Sequence, residues 1–258
     1  MRVALVVAYD GRAFFGFQRQ ARGRTVQQEL ETAFFDWFGT PVAVVGSGRT
    51  DRGVHAFGQV VHADLPRAYP PEAVPGALNA RLAPDVRVLE AHAVADDFHA
   101  RFDARAKTYV YRLSLRPVLL PMDRGLVAHI PYALDVSAMA EAATAFCGRH
   151  DFAGFANAGS AARTTHRTIH TAALVQRGRE LFFWVRGDGF LYNMVRNIVG
   201  TLIDVGRGKL SRADVQRRLA GDRAVSRSST APPDGLYLYR VEYDALATPD
   251  PDIGFPKP

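Results

Sequence analysis

Val45-Gly-Ser-Gly-Arg-Thr-Asp-Arg-Gly-Val-His-Ala56 sets one carboxylate, Asp51, between Arg49 and Arg52 in a turn carrying three glycines, Gly46, Gly48 and Gly53. Apolar, strand-like runs flank it, from Pro41 to Val45 before and from Phe57 to His62 after. The pattern predicts a loop between two strands, where a scaffold can hold a reactive group rigidly and still expose it. Glycines there permit backbone angles and close approaches that a side chain forbids. Two cationic neighbours favour the charged form of Asp51. An anionic group in a basic loop suits an acidic polymer, because the arginines hold phosphates while the carboxylate meets sugar or base.

Other chemistries fit the loop less well. A Walker loop needs Gly-Lys-Ser/Thr, and a dinucleotide fingerprint opens a helix after its strand. Here the glycines are followed by Gln59-Val-Val-His-Ala63, which reads as another strand. Ser47, Asp51 and His55 lie close in sequence, but a hydrolytic triad is recognised by geometry. Two alternatives stay open: a nucleotide-dependent enzyme using Gly46 to Gly53 as an anion nest, and a non-catalytic RNA-binding protein.

The 258 residues suffice for one large or two ordinary domains with buried cores. A net charge of +6 and an isoelectric point near 9.7 favour nucleic-acid or other acidic partners. Arginine supplies most of that charge, since lysine occurs only at Lys107, Lys209 and Lys257. Guanidinium forks grip phosphate oxygens and stack on bases. The single cysteine, Cys147, excludes an intramolecular disulfide and fits a reducing cytosol, so a cytoplasmic protein is expected. No histidine–carboxylate spacing suggests a metal site, and no cofactor is expected. Val3 to Ala8 is too short for a signal-peptide core and nothing reaches transmembrane length, so no membrane association is expected.

The chain reads as two α+β halves. In the first, Arg2 to Tyr9 reads as a buried strand. A helix follows from Thr25 as N-cap, with Gln28 completing a capping box and Val26, Leu30, Ala33, Phe34 and Phe38 at helical period. A second helix, about Pro71 to Leu82, and a strand, Val86 to Val94, come after the Asp51 loop. The second half begins with the strand Lys107 to Leu115 and a helix from Asp135 to about Cys147. Strands at Thr168 to Gln176 and Leu181 to Val185 lead to a helix from about Leu191 to Val205, apolar almost all round and so expected to be buried. A basic helix near Arg212 to Leu219 and a strand from Leu236 to Tyr243 close it. The halves share an element order without an internal sequence repeat.

Gly46 to Ala56 resembles the active-site motif of the tRNA pseudouridine synthase A family. So, in that family's order, do Tyr9-Asp-Gly-Arg-Ala-Phe-Phe-Gly-Phe-Gln18, Thr25-Val-Gln-Gln-Glu-Leu-Glu31, Phe98-His-Ala-Arg-Phe102, Arg105-Ala-Lys-Thr-Tyr-Val-Tyr111, His150-Asp-Phe152, Phe190-Leu-Tyr-Asn-Met-Val-Arg-Asn-Ile-Val-Gly200 and Ala231-Pro-Pro-Asp-Gly-Leu-Tyr-Leu238. Only the Pro-rich end from about Leu246 lies outside the likeness. Departures are small: Phe17 stands where an aromatic, often Trp, is usual, and Arg12-Ala13 replaces a more polar turn.

The resemblance implies the pseudouridine synthase fold: α+β, with two ferredoxin-like (RRM-like) subdomains joining an antiparallel or mixed sheet around a central cleft. The expected division is 1–104 with the catalytic loop, 105–245 with the remaining pocket residues, and a flexible tail at 246–258. The implied activity is conversion of uridine to pseudouridine at positions 38, 39 and 40 of the tRNA anticodon stem-loop, by a homodimer. Asp51 is implied as the catalytic carboxylate, either adding to C1′ or removing a C2′ proton. Tyr109 is implied as a catalytic residue that stacks on the target base and assists the C5 proton transfer through its hydroxyl, although as a strand residue it shares a face with Tyr111. Arg196 sits among Met194, Val195, Ile198 and Val199, where an unpaired charge is costly; the resemblance pairs it with Asp51. Leu236 is implied as an apolar pocket wall and Arg49 as an aid to flipping the nucleotide. Arg52, Arg22, Arg24, Arg101, Arg105 and Lys107 are expected phosphate contacts, and His55 stays outside the catalytic set.

Overall fold

The computed structural model describes residues 1–157 and 163–258. The chain forms two compact units, Met1–Lys107 with Tyr237–Pro251, and Thr108–Leu236 with Asp252–Pro258.

In the first unit β1 (Arg2–Tyr9) is an almost unbroken apolar run, buried along most of its length. Helix α1 (Val26–Phe38) starts at Thr25, whose hydroxyl accepts the Gln28 N–H, and ends at Gly39 in the left-handed region (φ 71). It buries Val26, Leu30, Ala33 and Phe34, four of the five positions its period marked. Strands β2 (Val44–Gly46) and β3 (His55–Asp64) bracket the Asp51 loop, and α2 (Val74–Asn79) and β4 (Val86–Ala93) follow. β1 pairs antiparallel with β3 on one edge and β4 on the other. The opposite edge of β3 is shared: β2 pairs with its far end, Val45 opposite His62, antiparallel.

In the second unit the strands are β5 (Ala106–Ser114, entering from the first unit), β6 (Ala128–His129), β7 (Gly148–Asp151), β8 (His166–Arg177) and β9 (Glu180–Gly187). Their order is β5-β9-β8-β7, with β6 on β5. β8 and β9 form a hairpin in which Arg177 faces Glu180, so Gly178 (φ 60) and Arg179 make the two-residue turn. Helix α3 (Val136–Thr144) is capped by Asp135, α4 (Met194–Gly206) is buried almost all round, and α5 (Arg212–Leu219) opens on a complete Ser211/Asp214 capping box.

The last strand, β10 (Leu236–Glu242), returns to the first unit, where Tyr237 and Leu238 pair parallel with His55 and Ala56 of β3. The sequence division had put this strand with the second half. The end of the chain, expected as a flexible tail, is packed: Thr248 is buried and held by Arg240, while the Tyr239 hydroxyl donates to Asp250 and to the Pro251 carbonyl. Further on, Trp184 Nε1 donates to the Pro256 carbonyl at 2.8 Å and Phe255 packs on Phe182. Among the described residues no helix is long and apolar enough to cross a membrane.

Candidate active site

Asp51 is half-buried in the loop between β2 and β3. The Val54 N–H donates to the Asp51 carbonyl at 3.1 Å, closing a turn whose third residue, Gly53, has φ 81. That positive angle is why glycine stands beside the carboxylate. The start of the loop is tied to β3 by the Ser47 N–H on the Val60 carbonyl, 2.8 Å.

Under the backbone lies a buried polar network. Ser47 Oγ donates to Gln59 Oε1 at 2.6 Å, and Gln59 Nε2 donates to the Gly48 carbonyl at 3.0 Å and to the Tyr9 hydroxyl at 3.4 Å. Tyr9 and Thr50 share a hydroxyl–hydroxyl bond of 2.8 Å. Burial pushes the Tyr9 phenol up to about 12, so it stays neutral at working pH. The segment after β1 closes over the same loop: Phe17 N–H reaches the Thr50 carbonyl and Gly11 N–H reaches His55 Nδ1, both at 3.1 Å. At Gly16 (φ 107) a Cβ would lie 2.7 Å from the Thr50 oxygen. His55 is buried and stacked on Tyr237, a structural position.

The basic residues divide. Arg49, Arg52 and Arg22 are exposed; Arg49 Nε donates to Gln18 Oε1, and Arg52 lies 4.3 Å over the Phe15 ring. Arg24, expected on phosphate, instead spends its fork on Asp85 and Glu29 and stacks on Phe14, so its charge is neutralised inside the fold. Arg105 is exposed and pairs with Asp244 at 2.7 Å. Lys107 also departs from expectation: its ammonium donates to the Ser47 carbonyl at 2.6 Å, and burial, with Arg101 nearby, lowers it to about 8.

The second unit holds the other expected site residues. Tyr109 and Tyr111 lie on β5, but their surroundings differ. Tyr109 meets Phe190 edge-on at 5.0 Å, whereas Tyr111 is fully buried with its hydroxyl on the Pro232 carbonyl at 2.7 Å. Arg196, in the first turn of α4, donates from Nε to the Ala231 carbonyl and from Nη1 to Asn193 Oδ1, both 2.8 Å. Asn193 itself takes a left-handed conformation, φ 59, at the helix start. Leu236 is buried directly after Gly235, where a Cβ would collide with the Arg112 carbonyl at 2.4 Å.

A family model described as tRNA pseudouridine synthase matches residues 5–103 and 142–244. The chain belongs to that family. Curated relatives named tRNA pseudouridine synthase A include those of Methylacidiphilum infernorum, 45% identical over 93% of this chain and 94% of its own, and Geobacter sp. M21, 46% identical over 93% and 98%. That of Halalkalibacterium halodurans is 46% identical over 91% of this chain and 90% of its own. Among solved structures, a Cbf5-Nop10-Gar1 complex aligns with a TM-score of 0.38 at 13% identity, over 92% of this chain and 48% of that one, too loose to bear on the fold.

Within the tRNA pseudouridine synthase family frame, sequence reasoning passed over Gln59 and Asn197. Both are polar residues in apolar elements, and both are buried and bonded at every turn. Asn197 Nδ2 donates to the Phe155 carbonyl at 2.8 Å and its Oδ1 accepts from Thr230. Their signal was that position, an amide where a core residue is expected. Among the described residues no group of three or more His, Cys, Asp or Glu is placed to hold a metal ion.

Proposed function

We propose that this isomerase converts uridine to pseudouridine in the tRNA anticodon stem-loop, at positions 38, 39 and 40. The observation that carries the proposal is the Asp51 loop, which offers a half-buried carboxylate from a backbone fixed by a buried network and flanked by the exposed guanidiniums of Arg49 and Arg52. The N1–C1′ bond breaks, the uracil turns, and C5 bonds to C1′; C5 loses a proton and N1 gains one, so no oxidant or reductant is consumed.

Asp51 acts on the sugar, as a nucleophile at C1′ or a base at C2′. Tyr109 stacks on the base taken out of its helix, Leu236 walls the pocket, and Arg196 keeps Asp51 ionised. Arg49 takes part in displacing the nucleotide, and Arg22, Arg52 and Arg105 meet phosphates. We assign the protein to the cytoplasm and to a homodimer, as the resemblance implies.

The test is purified protein with unmodified tRNA and neither metal nor nucleotide, followed by nucleoside analysis. Pseudouridine at 38–40 is the expected result. Its absence, or formation only with added nucleotide, overturns the proposal.

A further inference from the structure

Two side chains from different elements grip successive carbonyls just ahead of Asp51. Lys107 Nζ donates to the Ser47 oxygen at 2.6 Å and Gln59 Nε2 to the Gly48 oxygen at 3.0 Å. Lys107 is packed directly against that backbone, for a Cβ on Gly48 would lie 3.0 Å from its Nζ. Gln59 is fully buried, and its amide oxygen takes the Ser47 hydroxyl. Glycines make this stretch pliable, so its shape comes from what holds it.

We propose that Lys107 and Gln59 are positioning residues that aim Asp51 by fixing the carbonyls of Ser47 and Gly48, and that the charge on Lys107 makes this aim sensitive to alkaline pH. The inference rests on Asp51 being the reacting carboxylate. An ammonium bonds a carbonyl more strongly than a neutral amine does, so proton loss loosens the grip without abolishing it.

The groups around the ammonium leave it as the one that titrates in this range. Arg101 faces it from the 98–105 segment. Tyr243, beyond β10, bonds the Ser47 hydroxyl and donates to the Ala100 carbonyl. Tyr9 reaches the network from β1 through Gln59. Burial raises both phenols, Tyr9 to about 12 and Tyr243 further, so both stay neutral while Lys107, lowered to about 8, changes charge. Asp51 carries the carboxylate of the loop being aimed. Activity and stability should then part company. Burial disfavours the charged amine, so from about 8 up to the ordinary lysine range this group adds stability as pH rises.

The experiment is single-turnover pseudouridine formation on unmodified tRNA from about pH 6.5 to 9.5, with tRNA Kd and thermal melts, for wild type, Lys107→Arg, Lys107→Met, Gln59→Leu and Asp51→Asn. The wild-type rate should fall above about pH 8, and Lys107→Arg should carry the plateau to higher pH. Lys107→Met and Gln59→Leu should lose roughly ten- to a hundredfold in rate, as misplaced catalytic groups do, with Kd nearly unchanged. Weaker tRNA binding at an unchanged rate in Lys107→Met would make it a phosphate ligand and overturn the proposal. So would an alkaline limb that Lys107→Arg leaves in place, and that comparison decides alone if Lys107→Met does not fold. Wild-type rate in Asp51→Asn removes Asp51 from the chemistry and with it the premise of this proposal, whereas loss there with unaffected Lys107 and Gln59 variants removes only the positioning role.

Discussion

The Asp51 loop and the segment from 226 to 232 are both irregular stretches laid on a buried element, yet they are fastened by opposite chemistry. Beneath Asp51 the donors and acceptors are mostly neutral: Tyr9, Thr50, Ser47 and Gln59, with Lys107 the one charged member. The 226–232 segment is held largely by arginines on carbonyl oxygens. Arg196 Nε reaches the Ala231 carbonyl, and the Ala231 N–H returns to the Arg196 carbonyl. Arg227 binds the Ala156 carbonyl at 2.6 Å, and the neighbouring Arg218 binds that of Gly154. A carbonyl satisfies a guanidinium without cancelling its charge. Arg24 differs from these arginines, since its fork is spent on two carboxylates.

The most severe break in that comparison is Asp51→Asn, which keeps the loop and removes its charge. Single-turnover rate should fall on the order of a thousandfold or more, as with other reacting groups, while tRNA Kd moves only a few-fold. A variant that turns over at the wild-type rate removes Asp51 from the chemistry.

Next is Arg196→Met, on the cationic side. On the proposed role of Arg196, its loss makes the Asp51 carboxylate harder to deprotonate, so the acidic limb of the rate profile should move to higher pH by about 1–3 units. The double variant with Asp51→Asn should be little worse than Asp51→Asn alone. Unchanged turnover with weakened tRNA affinity would make Arg196 a phosphate ligand.

The smallest effects separate two arginines that the sequence could not. Arg24→Ala should cost about 1–2 kcal/mol in stability through its two part-exposed ion pairs and its stacking, read as a lower Tm, and leave the salt dependence of tRNA binding as it was. Arg52→Ala should leave Tm nearly alone and flatten the slope of log affinity against log salt by about 0.7–0.9. Reversed outcomes would mean that the ion pairs do not decide which cations RNA meets.

Local signals in the sequence were legible where one residue type decides the outcome. Asp135 opened α3, and Thr25 with the spacing of Val26, Leu30 and Phe34 opened α1. They misled where backbone conformation intervened. The run from Leu191 looks helical, but Asn193 at φ 59 delays α4 to Met194. Gly148 at φ 101 ends the α3 region and opens β7, a polar strand with no apolar alternation to announce it. For the site, strand spacing alone could not separate Tyr109 from Tyr111, which share β5; only the family likeness named Tyr109. Asp85, one of the two carboxylates on Arg24, and Ser47, which holds Lys107, lie about sixty residues away in the chain. No local pattern could reveal them, because a bond of that span depends on tertiary packing.

The return of β10 governs when this chain can work as well as how it is built. Units that occupy one continuous stretch can fold as they leave the ribosome. The unit carrying Asp51 cannot, because Tyr237 and Leu238 must still pair with His55 and Ala56 at the exit of the Asp51 loop. Pairing across such a separation is slow, and it has to wait until β10 has been made. A nascent chain stopped before β10 would therefore hold Asp51 in an unfinished sheet, and on the proposed function could act on tRNA only once β10 has joined it.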